Sequence, residues 1–377
     1  MIQVPYIQLK NLSYNSLMLA FRYISFHYLK YFFIILGALL LFLVGFDYMQ
    51  YEEQLSKSAN LLLIYLVYKA FYGIDMLVPL SLIFAMISTK ILLIRSNALV
   101  SFYSLGYTRI DILRPFVIIS TVVIMIYISF HSFSSFSRAN EFSDNIRSHA
   151  QYLNPTRDLF FIYKGKYIYF SQMLPLQEKA TGIRVFSVKD KSLKAVLVAK
   201  EANYRDEYWH IKSADIITKP DDLSFASLGI KVTKEKNLKI LHGFRPKILD
   251  QVYEGKVNFT IKNAVDAILL LKDQNINTDS IRGALYRIFV YPLFVPAVVI
   301  IIFFFVPISV RFLNVSLFSF IAILSTLMVW AILFALTELA INKTISSEVG
   351  IIGPIILLYI IAISIYRHYS HPPKEKT

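Results

Sequence analysis

Three apolar stretches precede residue 139 and three follow residue 280, with a charged segment of short alternating runs between them. The first apolar stretch is Tyr31–Phe46, YFFIILGALLLFLVGF. The second, Leu61–Ile94, is apolar for about 34 residues, roughly 51 Å as a helix against a bilayer core of about 30 Å. Lys69, Gly73, Asp75 and Pro79 interrupt its first half. That pattern predicts an outer, partly interfacial helix followed by a span over Met76–Ile94. Phe116–Phe130 predicts the third span. Phe289–Val306, carrying Pro292 and Pro296, predicts the fourth, Leu317–Leu339 the fifth and Ile351–Tyr366 the sixth.

The middle segment follows a different rule. FFIYKGKYIYF, GIRVFSV, KAVLVAKEANYR, YWHIKSADIITK and KVNFTIK alternate apolar and polar positions, the period of a half-buried strand. Lys164-Gly165-Lys166 and Lys189-Asp190-Lys191 read as hairpin turns. Strands and turns at this spacing predict one all-β domain, a sandwich or jelly roll. Asn263–Lys272 reads as a helix returning to the membrane. The predicted fold class is membrane α + β: six transmembrane helices in two groups of three, with a β-jellyroll-like domain inserted between the third and fourth. The domains are residues 1–138, 139–280 and 281–377.

Arg95–Pro115, RSNALVSFYSLGYTRIDILRP, is the polar break between the second and third spans. Asn97 can cap a helix start and Gly106 can stop one, which predicts a short helix over 97–106. Leu99, Phe102, Tyr103 and Leu105 would give it an apolar or aromatic face. Arg95, Arg109 and Arg114 flank it and place it on the cytoplasmic side, as Lys10, Arg22 and Lys30 do for the amino terminus and Arg367, His368 and Lys374 for the carboxyl terminus. Asp47, Glu52 and Glu53 then fall in an outer loop, and the β domain is outside. Basic residues precede the first apolar run, as in a signal peptide, but no small-residue cleavage site follows, so a retained span is expected.

Composition agrees with this class. The 377 residues are 56% hydrophobic and 15% aromatic, with a mean hydropathy of +0.54. The net charge of +14 fits membrane anchoring better than nucleic-acid binding, since no RNA- or DNA-binding signature accompanies it. The absence of cysteine excludes thiol chemistry and disulfides. No Walker A loop, HExxH, GxSxG or paired-carboxylate motif occurs, and His131, His149, His210 and His242 lack ligand spacing to one another. The expectation is a protein without catalysis, metal or cofactor of its own. Lys69, Asp75 and Glu338 are ionisable positions at membrane depth, facing a cavity or snorkelling to water.

RSNALVSFYSLGYTRIDILRP resembles the coupling segment of the LptF/LptG (YjgP/YjgQ) permease family. GKYIYF, GIRVFSV and AKEANYRDEYWHI resemble that family's outer-domain progression, and ALYRIFVYPLFVPAVVIIIFFFVPIS its fourth-span start. The resemblance covers nearly the whole chain and leans to LptG through Asp47 and the helical return near Asn263–Lys272. It implies a permease subunit in the bacterial inner membrane that pairs with its paralogue and binds two copies of the ATPase LptB, which holds the ATP. The pair extracts lipopolysaccharide and passes it from a periplasmic β-jellyroll to a bridge beginning with LptC and LptA. The coupling residues implied are Arg95, Asn97, Phe102, Tyr103, Gly106, Tyr107 and Arg109.

Two departures stand out. The family's acidic coupling residue aligns with Asn97, which keeps a hydrogen-bond acceptor and loses the charge. The family's first span carries cations for lipid phosphates and Tyr31–Phe46 has none, so Lys69, Arg282 and Arg287 are the positional substitutes, with Asp75 and Glu338 beside them. The arginines equally suit plain interfacial anchoring. A mechanotransmission subunit and a motorless membrane scaffold are the other classes open. The first wants a long outer helical stalk, and the second has no use for a coupling helix.

Overall fold

The computed structural model describes residues 6–55, 59–147, 156–163, 165–174, 178–189, 192–220, 229–242, 260–271, 279–305 and 314–370. In chain order the elements are α1 (Tyr6–Leu55), α2 (Ala59–Arg95), α3 (Ala98–Ser104), α4 (Arg109–Phe130), α5 (Ser134–Ser137), α6 (Ala139–Arg147), β1 (Thr156–Tyr163), β2 (Lys166–Leu174), β3 (Lys179–Lys189), β4 (Ser192–Arg205), β5 (Tyr208–Thr218), β6 (Lys231–Ile240), α7 (Ile261–Leu271), α8 (Asp279–Phe289), α9 (Phe294–Phe305), α10 (Val315–Ile341) and α11 (Gly353–Ser370). They form two compact units, Met1–Ser143 with Gly283–Thr377, and Asp144–Arg282.

Among the described residues six helices are long and apolar enough to cross a membrane: Met18–Glu52, Ala59–Arg95, Arg109–Phe130, Ile281–Phe305, Ser316–Ile341 and Glu348–Tyr369. They outrun the apolar stretches because polar ends extend a helix without adding to its hydrophobic run. The interfacial piece expected ahead of Met76 is continuous with its span, α2 running through Pro79 without a break. Proline removes the N–H that would reach the carbonyl of residue 75. Tyr127 of α4 comes in its place, its single hydroxyl proton shared between that carbonyl oxygen at 3.2 Å and the Asp75 carboxylate at 2.7 Å. The fourth span is interrupted instead: Tyr291–Leu293 forms a 3-10 turn around Pro292 before α9 begins.

The helical core gathers Tyr28, Phe32 and Leu36 of α1, Leu82, Ile83 and Met86 of α2, Phe116 of α4, and Phe294 and Phe303 of α9. α2 lies at its centre, with 78% of its most apolar window buried against 11% for α1 and 17% for α10. The exposed apolar faces of α1 and α10 suit lipid or a partner helix. A π-helical turn, Glu348–Ile352, precedes α11, and there Gly350 lets the chain approach α10: a Cβ would lie 2.7 Å from that of Ala340.

In the other unit the strands form one antiparallel sheet in the order β1-β2-β3-β4-β5-β6. Tyr163 pairs with Lys166 around Gly165, whose φ of 74° suits the expected turn, and Lys189 pairs with Ser192 at the second. Lys164, Asp190 and Lys191 lie outside the described residues. One face of the sheet is apolar, built on the buried Trp209, 5.2 Å from the Phe170 ring and 5.6 Å from that of Tyr204. The sheet curls, so that the Tyr163 hydroxyl on β1 donates to the carbonyl of His242 beyond β6. Helix α7 occupies the stretch where a returning helix was expected, with Lys272 outside the described residues.

Candidate functional site

The turn from α2 to α4 is closed at the end of α3 and at the start of α4. Asn97 adopts a left-handed conformation, φ 54°, which asparagine tolerates better than most residues. It ends α2 and starts α3, but its side chain makes no capping bond, so the expected amide cap is absent and its part is a backbone one. At the other end Gly106 has φ 87° with open space around it. The Gly106 N–H donates to the Tyr103 carbonyl and the Tyr107 N–H to that of Phe102, each near 3.0 Å. This is a Schellman stop, sealed by the Phe102 and Tyr107 rings at 5.6 Å. Thr108 and Asp111 then form a reciprocal capping box that opens α4.

This locking fixes which residues face out. Leu99 is fully buried, and Phe102 and Tyr103 pack against the helical core, Phe102 edge-on to Tyr23 of α1. Burial pushes the Tyr103 phenol above its ordinary pKa, with the Arg109 guanidinium pulling the other way. The aromatic pair expected to form the docking face is therefore turned inward. The outward stripe is Asn97, Val100, Ser101, Ser104 and Leu105, one helical face by spacing, with Leu105 75% exposed. Arg95 is exposed beside it, and Arg109 lies 5.5 Å from the Tyr369 ring of α11.

The ionisable residues expected at membrane depth, Lys69, Asp75 and Glu338, each have a partner. Lys69, 7% exposed, lies 2.9 Å from Asp47 of α1, to which the Tyr65 hydroxyl also donates. Its charge is thus matched inside the bundle and is not the open phosphate cation expected of it. Asp75 accepts from the Tyr127 hydroxyl at 2.7 Å and lies 2.9 Å from His131 Nε2. Arg287 is 3.3 Å from Glu338, both partly exposed, and Arg282 pairs with Asp279 one turn earlier on α8.

The curled sheet bears a half-open, mostly apolar cavity of about 420 Å³. Tyr163, Val185, Leu197 and Ile240 are among its lining, with Lys166 and Lys239 the cationic members.

These features have a counterpart among known proteins. The model of the lipopolysaccharide export system permease family LptF/LptG matches residues 22–368. The chain belongs to this family. No curated protein matches it. Membership in the LptF/LptG family makes it a multi-pass membrane protein and a permease subunit of a lipopolysaccharide export system, with no catalytic activity of its own. The family model embraces LptF and LptG together, so membership does not divide them.

Sequence reading missed Asp47 as the partner of Lys69, Tyr127 and His131 as those of Asp75, and Lys90, which is buried where α2 meets α9. Pro79 was the available signal for Tyr127, since it announces a carbonyl in need of a donor. Nothing in the local pattern announced the others.

Proposed function

We propose that this chain is the membrane half of a transporter driven by a separate ATPase. It sits in the bacterial inner membrane with its termini and α3 cytoplasmic and its β unit periplasmic. Paired with its paralogue, it takes lipopolysaccharide from the membrane and hands it to a periplasmic bridge of the LptC and LptA kind. An LptB-like ATPase dimer docks on α3.

The carrying observation is the rigid, doubly stopped α3 with one outward stripe. A short helix held this firmly and still presenting Val100 and Leu105 to solvent suits a moving partner that must push on it. Asn97 in place of the family's acid shifts that contact from charge toward shape and apolar burial. The charge distribution supports the orientation. Tyr23 of α1 and Tyr369 of α11 both lie against the α3 turn, through Phe102 and Arg109. Arg22, Arg95, Arg109, Arg114 and Arg367 therefore gather at one end, as the positive-inside rule requires of a cytoplasmic face. The cavity of about 420 Å³ in the β unit is apolar enough for acyl chains and falls within the roughly 300–1,000 Å³ range of ligand pockets.

Affinity purification from the native membrane in mild detergent tests this reading. The expected result is co-recovery of an ATPase and a second six-span permease. Monodisperse protein that brings down neither would overturn it.

A further inference from the structure

Lys90 of α2 is 2% exposed, and its Nζ donates to the carbonyl oxygen of Phe303 on α9 and lies 3.8 Å from the centroid of that residue's ring. A buried ionisable side chain in a membrane bundle is expensive and marks a position with a task. The carbonyl it meets is a particular one. Four residues later the sequence has Pro307, which has no N–H, so the usual helical donor from that position is missing. The Phe303 ring in turn meets Phe116 of α4 at 6.1 Å. α2 and α4 are the two helices joined by the α3 turn, so both legs of that turn converge on one residue of the second helical group.

We propose that Lys90 is a positioning residue for transport, carrying displacement of α3 to α9 through the carbonyl and ring of Phe303. This rests on the motor-coupled reading above. Leu99, buried under α3, seats the turn on the same core, so the ATPase moves α2, α3 and α4 as one body. The Lys90 hydrogen bond makes α9 follow. Without it, the Phe303 oxygen loses its donor from α2 and the two helical groups slip past each other.

The test uses the whole complex in proteoliposomes, reading lipopolysaccharide released per ATP hydrolysed. Lys90→Met should retain the ATPase and its hydrolysis while release per ATP falls about tenfold. Lys90→Arg, which keeps a long N–H donor, should recover most of it. Phe303→Leu keeps the carbonyl and removes only the ring face, so roughly a threefold loss is expected; it also decides the matter if Lys90→Met fails to assemble. The chain contains no cysteine, so spin labels at the exposed Ser96→Cys and Phe305→Cys would be the only ones in this subunit. Their distance distribution in the nucleotide-trapped complex should be narrow in the parent and broad in Lys90→Met. Parent-like release and a narrow distance in Lys90→Met, or unchanged release in Phe303→Leu where Lys90→Met cannot assemble, would overturn the role of Lys90 alone. Hydrolysis without release in the parent complex would overturn both this and the motor-coupled reading.

Discussion

Prolines decide much of what individual side chains do in this bundle. Pro79 deprives the Asp75 carbonyl of its helical donor, and the one hydroxyl proton of Tyr127, from another helix, is shared between that carbonyl and the Asp75 carboxylate. Tyr127→Phe should therefore cost about 1 kcal/mol, the net worth of such a bond. In the Pro79→Ala background the loss should shrink, because the restored amide can close the helix on that carbonyl. Thermal unfolding in detergent of the two single variants and the double measures this, and strictly additive losses would refute the shared carbonyl. The ionisable residues Lys69 and Asp75 were visible in the sequence as polar marks inside apolar runs. Their partners were not, because Asp47 and His131 come from other helices and no local periodicity reports which helices touch.

At the scale of elements, α3 shows where a pattern suffices and where it fails. Gly106 marks a stop by local chemistry alone, and the structure realises it; Asn97 starts the helix through its backbone without the expected cap, and the Thr108–Asp111 capping box was not read from the sequence. Which face of α3 points outward depends on how the turn rests on α1 and the core, and that phase is not local. Four apolar or aromatic residues were read as one docking face, yet Leu99 is buried beneath the helix, Phe102 and Tyr103 lean inward and Leu105 stands out. Consequently Leu105→Asp should abolish ATPase recovery and leave the unfolding temperature unchanged. Phe102→Ala should instead lower stability by roughly 2 kcal/mol, about half the value for a fully buried ring. Co-purification paired with thermal unfolding separates the two; loss of the ATPase with Phe102→Ala at unchanged stability would return docking to the aromatic face.

For the whole molecule, the two groups of three apolar helices and the strand-bearing unit between them were legible because each depends on a run or an alternation within a few residues. Helix lengths were less so. α2 reaches 37 residues because Tyr127 mends its proline and because Lys69 and Asp75 find partners, which turns apparent interruptions into interior contacts. The sheet's curl, and the cavity it bears, follow from contacts between strands far apart in sequence, such as Tyr163 with the residue after β6. What these parts do together is tested most directly by lipid movement. Proteoliposomes holding this chain, its paralogue and the ATPase would be loaded with lipopolysaccharide and offered a soluble acceptor of the periplasmic bridge. The expected result is transfer to the acceptor that needs ATP and stops when this chain is omitted. ATP hydrolysis with the lipid retained in the membrane, or transfer that proceeds equally without the ATPase, would contradict a motor-driven permease.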